Sequence, residues 1–90
     1  MSVKVNLHRS LASLTNGQTV VEVNGDTVGQ CLEQLATRFP RLKKRLFEKD
    51  GALSRILEIY INGESTYPDE LATTVKDGDE LHTVVLIFGG

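Results

Sequence analysis

The segment from His82 to Gly90 reads His-Thr-Val-Val-Leu-Ile-Phe-Gly-Gly. A β-branched, mostly apolar run of this kind belongs to a strand at the centre of a sheet. The other strands must then be arranged around it. The run ends in two glycines, where globular chains usually close on polar residues that fray. Read as a terminus, Gly89-Gly90 presents a carboxylate on a lead without side chains, able to pass through a narrow channel in a partner.

The bulk properties set limits. Ninety residues make one domain. A chain of this length buries roughly two-thirds of its extended surface, which leaves little room for an enclosed active site. No apolar run approaches the ~20 residues that span a bilayer, so no membrane association is expected. The chain starts directly on a strand pattern with no secretory signal, and one cysteine, Cys31, forms no internal disulfide. A cytoplasmic location follows as an expectation. A net charge of −2 speaks against a nucleic-acid partner.

Alternation of Val3, Val5 and Leu7 with polar residues predicts a half-buried strand over 3–7. The connection over 9–18 contains the turn pair Asn16-Gly17, with Leu11 and Leu14 folding back onto an edge of the core. Residues 19–23 read as a second strand, antiparallel to the first. Thr27 is the expected N-cap of a helix, with Gln30 at the capping-box spacing. Val28, Cys31, Leu32, Leu35 and Phe39 give that helix one apolar face, and Pro40 stops it. A short second helix over 41–47 buries Leu42 and Leu46. Residues 56–61 form a strand with Leu57, Ile59 and Ile61 on one side. Asn62-Gly63 is the strongest hairpin signal in the chain, and residues 64–67 are a short return strand. Leu71 and Val75 plug the core, Asp77-Gly78-Asp79 turns the chain, and the last strand begins near Glu80. The fold class is α+β, a mixed sheet of four to five strands with one main helix and a short second one. The β-grasp topology fits this order.

Other residues carry weaker signals. Six of the ten basic residues lie between 38 and 49, namely Arg38, Arg41, Lys43, Lys44, Arg45 and Lys49. They read first as a solvated helix face and second as a dock for an acidic protein. Cys31 reads as a small core residue. His8 and His82 supply too few ligands for a metal, and Asp77, Asp79 and Glu80 read as turn formers, so no metal site is expected. No paired catalytic carboxylates, nucleophile elbow or phosphate loop occurs.

Three stretches together resemble one family: Gly25-Asp26-Thr27-Val28-Gly29 at the helix start, Glu58-Ile59-Tyr60-Ile61-Asn62-Gly63-Glu64 at the hairpin, and residues 71–81 before the last strand. With Gly89-Gly90 they make the chain similar to the ubiquitin-like sulfur carriers of the MoaD/ThiS family. That group contains the molybdopterin synthase small subunit and the thiamine sulfur carrier, and the nearest likeness is to carriers that serve cysteine synthesis. The tail departs from the family in having Val85 where a proline is common, and bulky Ile87 and Phe88 before Gly89.

The resemblance implies a β-grasp domain over 1–88 with a Gly-Gly tail at 89–90. It implies a carrier or co-substrate instead of an enzyme. An adenylyltransferase of the MoeB/ThiF type, related to ubiquitin-activating enzymes, would use ATP to adenylate Gly90. Sulfide or a persulfide would then displace AMP and leave a thiocarboxylate on Gly90. The acceptor would be an enzyme of the molybdopterin synthase large-subunit, thiazole synthase or cysteine synthase type. No cofactor is bound by the carrier, which is expected to be monomeric alone. Gly89 and Gly90 are the reacting end. Leu86 and Phe88 are the expected partner contacts, joined by Ile59 and Ile61 on condition that they face outward. Two alternatives stand beside this reading: conjugation of Gly90 to lysines of other proteins, and a plain interaction module whose glycines are incidental.

Overall fold

The computed structural model describes residues 1–86. Its strands are β1 (Ser2–Asn6), β2 (Val20–Asn24), β3 (Leu57–Ile61), β4 (Glu64–Ser65) and β5 (Glu80–Val85). Its helices are α1 (Val28–Arg38) and α2 (Lys43–Leu46). Three 3₁₀ segments, Arg9–Leu14, Pro40–Leu42 and Glu70–Ala72, connect them. The sheet order is β2-β1-β5-β3-β4. β5 runs parallel to β1 and antiparallel to β3, so the last strand lies at the centre. With α1 across one face, this is the β-grasp arrangement.

The alternation expected from the sequence sets the faces. Val3, Val5, Val21, Val23, Ile59 and Leu81 are almost completely buried on the side covered by α1. From the helix, Val28, Cys31, Leu32 and Leu35 meet them with no exposed surface. Each such aliphatic side chain contributes about 1.5–3 kcal/mol on burial. Leu11, Leu42, Leu46 and Val75 close the edges of this core. The opposite face carries Ser2, Lys4, Asn6, Glu22, Glu58, Tyr60, Glu80, His82 and Val84 in the rows set by the strand register.

Both ends of α1 are set by particular residues. Thr27 Oγ1 accepts from the Gln30 amide at 3.1 Å. The Gln30 side chain reaches back to the Asp26 amide at 2.7 Å, one residue further than a simple capping box requires. The Thr73 carbonyl accepts from the Val28 amide at 2.9 Å, which ties the segment after Ala72 to the helix start. At the other end Phe39 leaves helical geometry ahead of Pro40. The second helical stretch opens as a 3₁₀ turn at Pro40 and becomes α-helical only at Lys43, so the predicted helix over 41–47 is two short pieces. Leu42 and Leu46 are both fully buried, as their spacing required.

Thr83 and Thr15 are buried polar residues that the apolar pattern did not flag. Thr83 Oγ1 accepts from the His8 amide at 3.0 Å and donates to the Asn6 carbonyl at 3.3 Å. It thereby extends the contact between β5 and the β1 side beyond the end of their paired register. Thr15 Oγ1 donates to the Gln18 carbonyl at 2.6 Å and fastens the β1–β2 connection.

Candidate functional site

The site is built on the end of β5. Flanked on both sides, this strand has little freedom to shift. Its final pairs with β3 are Glu58 with Val84 and Leu57 with Val85. The Leu86 amide then donates to the Ile56 carbonyl at 2.6 Å. The ladder therefore holds the backbone in place up to Leu86. Phe88, Gly89 and Gly90, three of the expected site residues, lie outside the described residues.

Ile59 does not meet the condition on which it entered the docking surface. It has no exposed surface and packs under α1. Ile61 is on the same face and packs against the same core from its edge. The physical reason is the odd–even alternation of β3: Leu57, Ile59 and Ile61 share the face that the helix covers. Leu86 is half-buried and follows Val84 by two residues, which puts it on the open face.

The apolar surface beside the tail is instead made by Ile56, Val84 and Leu86. Ile56 is 40% exposed and Val84 36% exposed. The register puts Ile56 across from Leu86, with Val84 beside Glu58. Neither Ile56 nor Val84 stood among the sequence-derived candidates. The signal was present, since a strand with 57, 59 and 61 inward must turn 56 outward.

Across the same face polarity rises away from the tail. The next row joins Asn6, His82 and Tyr60, and the row beyond it joins Glu22, Lys4 and Glu80. Hydrogen bonding to the adjacent Glu58, and the Glu58 charge, hold the Tyr60 phenol above its ordinary pKa of 10.0. Tyr60 is therefore a neutral donor at physiological pH. Asn6 Nδ2 donates to the Leu81 carbonyl at 3.2 Å. This surface can offer an apolar patch, a phenol and carboxylates to a partner.

His82 lies on β5, whereas His8 follows β1 as the cap of the Arg9–Leu14 segment, where its Nδ1 accepts from the Ser10 amide at 3.1 Å. Among the described residues no group of three or more His, Cys, Asp or Glu side chains is disposed to hold a metal ion. No described helix is long and apolar enough to cross a membrane. Burial pushes the Cys31 thiol above its ordinary pKa of 9.0, the opposite of what a reactive thiol needs.

Comparison with known proteins agrees with this architecture. The ThiS family model matches residues 5–90. The chain is 32% identical to the sulfur carrier protein CysO of Mycobacterium tuberculosis over 93 aligned positions, covering all of both chains. The crystal structure of the Amycolatopsis orientalis BexX/CysO complex contains a chain that superposes with a TM-score of 0.88 at 31% identity, covering 98% of this chain and 99% of that one. SAMP1 of Haloferax volcanii superposes with a TM-score of 0.85 at 32% identity over the whole of both chains. A match over nearly the full length, on a central strand leading to Gly89-Gly90, makes this chain a member of the ThiS family, a ubiquitin-like sulfur carrier of the MoaD/ThiS type.

Proposed function

We propose that Gly90 carries sulfur as a thiocarboxylate. The observation that supports this most is the central position of β5, which is locked to β3 through Leu86 and leads directly to Gly89-Gly90. Four residues follow Leu86, ending in Gly90. Their extended reach is at most about 14 Å. A partner that processes Gly90 must therefore also approach the face bearing Ile56, Val84 and Leu86.

The chemistry needs no catalytic side chain from this protein. A carboxylate resists nucleophiles because it is negatively charged and has a poor leaving group. A MoeB/ThiF-type adenylyltransferase transfers AMP from ATP to the Gly90 carboxylate and releases pyrophosphate. Hydrosulfide attacks the acyl carbon and AMP leaves; alternatively a persulfide displaces AMP, and a second thiol then attacks the outer sulfur of the acyl disulfide, releasing the thiocarboxylate and forming a disulfide with the donor. The product keeps one carboxyl oxygen and gains one sulfur. Residues 89–90 act as the tail and the preceding residues as the docking domain. Ordering each tail residue costs ~1–2 kcal/mol, so affinity must come mainly from the sheet face. Gly90→Ala puts a methyl group at the reacting end and should strongly slow adenylation.

The resemblance to carriers that serve cysteine synthesis favours an acceptor of that type, and a CysO occurs in a crystal structure as a complex with BexX. The likeness to SAMP1, a small archaeal modifier protein, favours a second use of the same activated Gly90, in conjugation to lysines.

Intact mass spectrometry tests the reading. The untagged protein is incubated with ATP, sulfide and the activating enzyme of its own organism. The expected result is a mass gain equal to exchanging one oxygen for sulfur, absent in a chain lacking Gly90. An unchanged mass with an activating enzyme shown to be competent would sink the proposal. Conjugates that survive denaturing gels and vanish without Gly89-Gly90 would establish the modifier use.

A further inference from the structure

Of the two edge strands of the sheet, β4 is two residues long and β2 five. β2 is therefore the edge on which a further strand could pair. The Leu7 amide donates to the Thr19 carbonyl at 2.7 Å, and the Gly25 amide donates to the Met1 carbonyl at 3.1 Å. Between them Val21 lies opposite Val5 and Val23 opposite Val3. Residues 19, 21, 23 and 25 thus turn their backbone groups to β1, and Val20, Glu22 and Asn24 turn theirs outward. Such a row is a template for another chain unless lysine, proline or a bulge spoils it. β2 has none of these in its continuous register of Val-Val-Glu-Val-Asn. Val20 is 51% exposed, and the one charge, Glu22, is drawn toward β1 by the Ser2 hydroxyl, which donates to Oε1 at 2.6 Å.

Two side chains of α1 occupy that row instead. Gln34 Oε1 accepts from the Asn24 amide at 2.6 Å, and Arg38 Nη1 donates to the Glu22 carbonyl at 2.9 Å. Spacing explains why both reach. Four residues along a helix advance about 6 Å, and two residues along a strand advance about 6.6 Å. A stripe at i and i+4 on a helix running against the strand therefore meets every second strand residue. The next position on the stripe is 42, which lies beyond Pro40 and is buried in the core as Leu42. The stripe stops short of Val20.

We propose that Gln34 and Arg38 latch the β2 edge and keep this chain from pairing with a second copy of itself. The amide and the carbonyl that they hold are groups an incoming strand would need for its own ladder. A second copy is the partner the latch excludes, because one edge turned against itself about a two-fold axis is self-complementary. Antiparallel β2–β2 pairing would fuse two sheets into one and join their open faces. The latch keeps the face that bears Ile56, Val84 and Leu86 on a single, separate domain. This inference does not depend on the chemistry at Gly90.

The test is sedimentation velocity of the full chain over a wide concentration range, beside the variant Gln34→Ala with Arg38→Ala. Alanine favours the helix, so the change falls on the edge and not on α1. The unaltered chain is expected to sediment as a monomer. The double variant should associate into a dimer at least about tenfold more strongly, since each edge regains groups free to pair. Adding Val20→Lys to the double variant should restore the monomer, because a lysine on the edge opposes strand pairing. Amide hydrogen exchange on the unaltered chain gives a second readout that needs no variant to fold. The Asn24 amide, held by Gln34, should exchange at least about tenfold more slowly than the outward Glu22 amide. A folded double variant that stays monomeric overturns the proposal, as does a dimer that survives Val20→Lys. Equal exchange at Glu22 and Asn24 overturns it as well.

Discussion

Asn62 and Asp79 join two turns that are far apart in sequence. Asn62 Nδ2 donates to Asp79 Oδ1 at 3.0 Å, and Asp79 Oδ2 accepts from the Lys76 amide at 2.8 Å. Asn62 Oδ1 in turn accepts from the Glu80 amide at 3.0 Å. The pair therefore sets the start of β5 against the β3–β4 hairpin, and with it the register that carries the chain to its tail. Asn62 sits at φ 50° and Gly63 at φ 88°, the left-handed pair that a tight hairpin turn requires.

This contact has a pH signature. The two hydrogen bonds hold the Asp79 carboxyl below its ordinary pKa of 3.8, the Lys76 amide being the larger cause. A carboxyl with a depressed folded pKa stabilises the native state above its unfolded value, and that stabilisation is lost as pH falls through the folded value. Native stability should accordingly fall below pH 3.8 with a contribution from Asp79. Asp79→Asn, which cannot titrate, should flatten that part of the acid limb in urea denaturation. Equal slopes for the two proteins below that pH would refute the assignment.

Gly29 is required by a close approach. A Cβ there would stand 2.9 Å from the Leu71 carbonyl oxygen and 3.3 Å from Leu71 Cβ. Gly to Ala inside a helix ordinarily gains up to about 1 kcal/mol. Forcing backbone apart in a packed region costs about 1–3 kcal/mol. Gly29→Ala should therefore lower stability by about 1–2 kcal/mol, against the helix-propensity trend. Gly25→Ala should behave alike, because its Cβ would lie 2.9 Å from both the Cys31 amide nitrogen and Sγ. An unchanged or raised urea midpoint for Gly29→Ala would show that the segment after Asp69 yields.

Cys31 should be silent toward thiol reagents in the native protein. It has no exposed surface, and burial raises its pKa, so the thiolate is both scarce and inaccessible. Labelling by a maleimide or a disulfide reagent should follow global unfolding and rise with denaturant along the unfolding curve. Rapid stoichiometric labelling in buffer would show that the helix opens locally.

The strands, the main helix and its cap were legible because each rests on local chemistry: alternation in β1 and β3, Thr27 before an apolar face, Pro40 after Phe39, Asn62 before Gly63. The docking surface was less legible because it depends on which side of the sheet the helix covers. Ile59 and Ile61 are as apolar as any docking residue, and only the packing of α1 turns them into core. Ile56 and Val84 look like ordinary strand residues until β3 and β5 are paired. The links made by Thr83 and by Gln30 to Asp26 were hidden for another reason. Each joins a side chain to backbone, and no periodicity records such a bond.

That difference between the two faces of β3 yields a paired prediction. Ile56→Lys alters a side chain that is 40% exposed, and surface changes of this type usually move stability by within about 0.5 kcal/mol. Its effect should fall on recognition, lowering kcat/KM for adenylation of Gly90 about fivefold or more, as truncating a central contact costs about 1 kcal/mol or above. Val84→Lys should act in the same direction, since Val84 continues the patch on the neighbouring strand. Ile59→Ala should do the reverse. It removes fully buried methyl groups and should cost about 2–5 kcal/mol of stability. At temperatures where that variant remains folded, its adenylation kinetics should stay near wild type. Steady-state kinetics beside urea melts separate the two effects. If Ile56→Lys left adenylation untouched while Ile59→Ala impaired it in the folded state, the activating enzyme would not be reading the open face of the sheet.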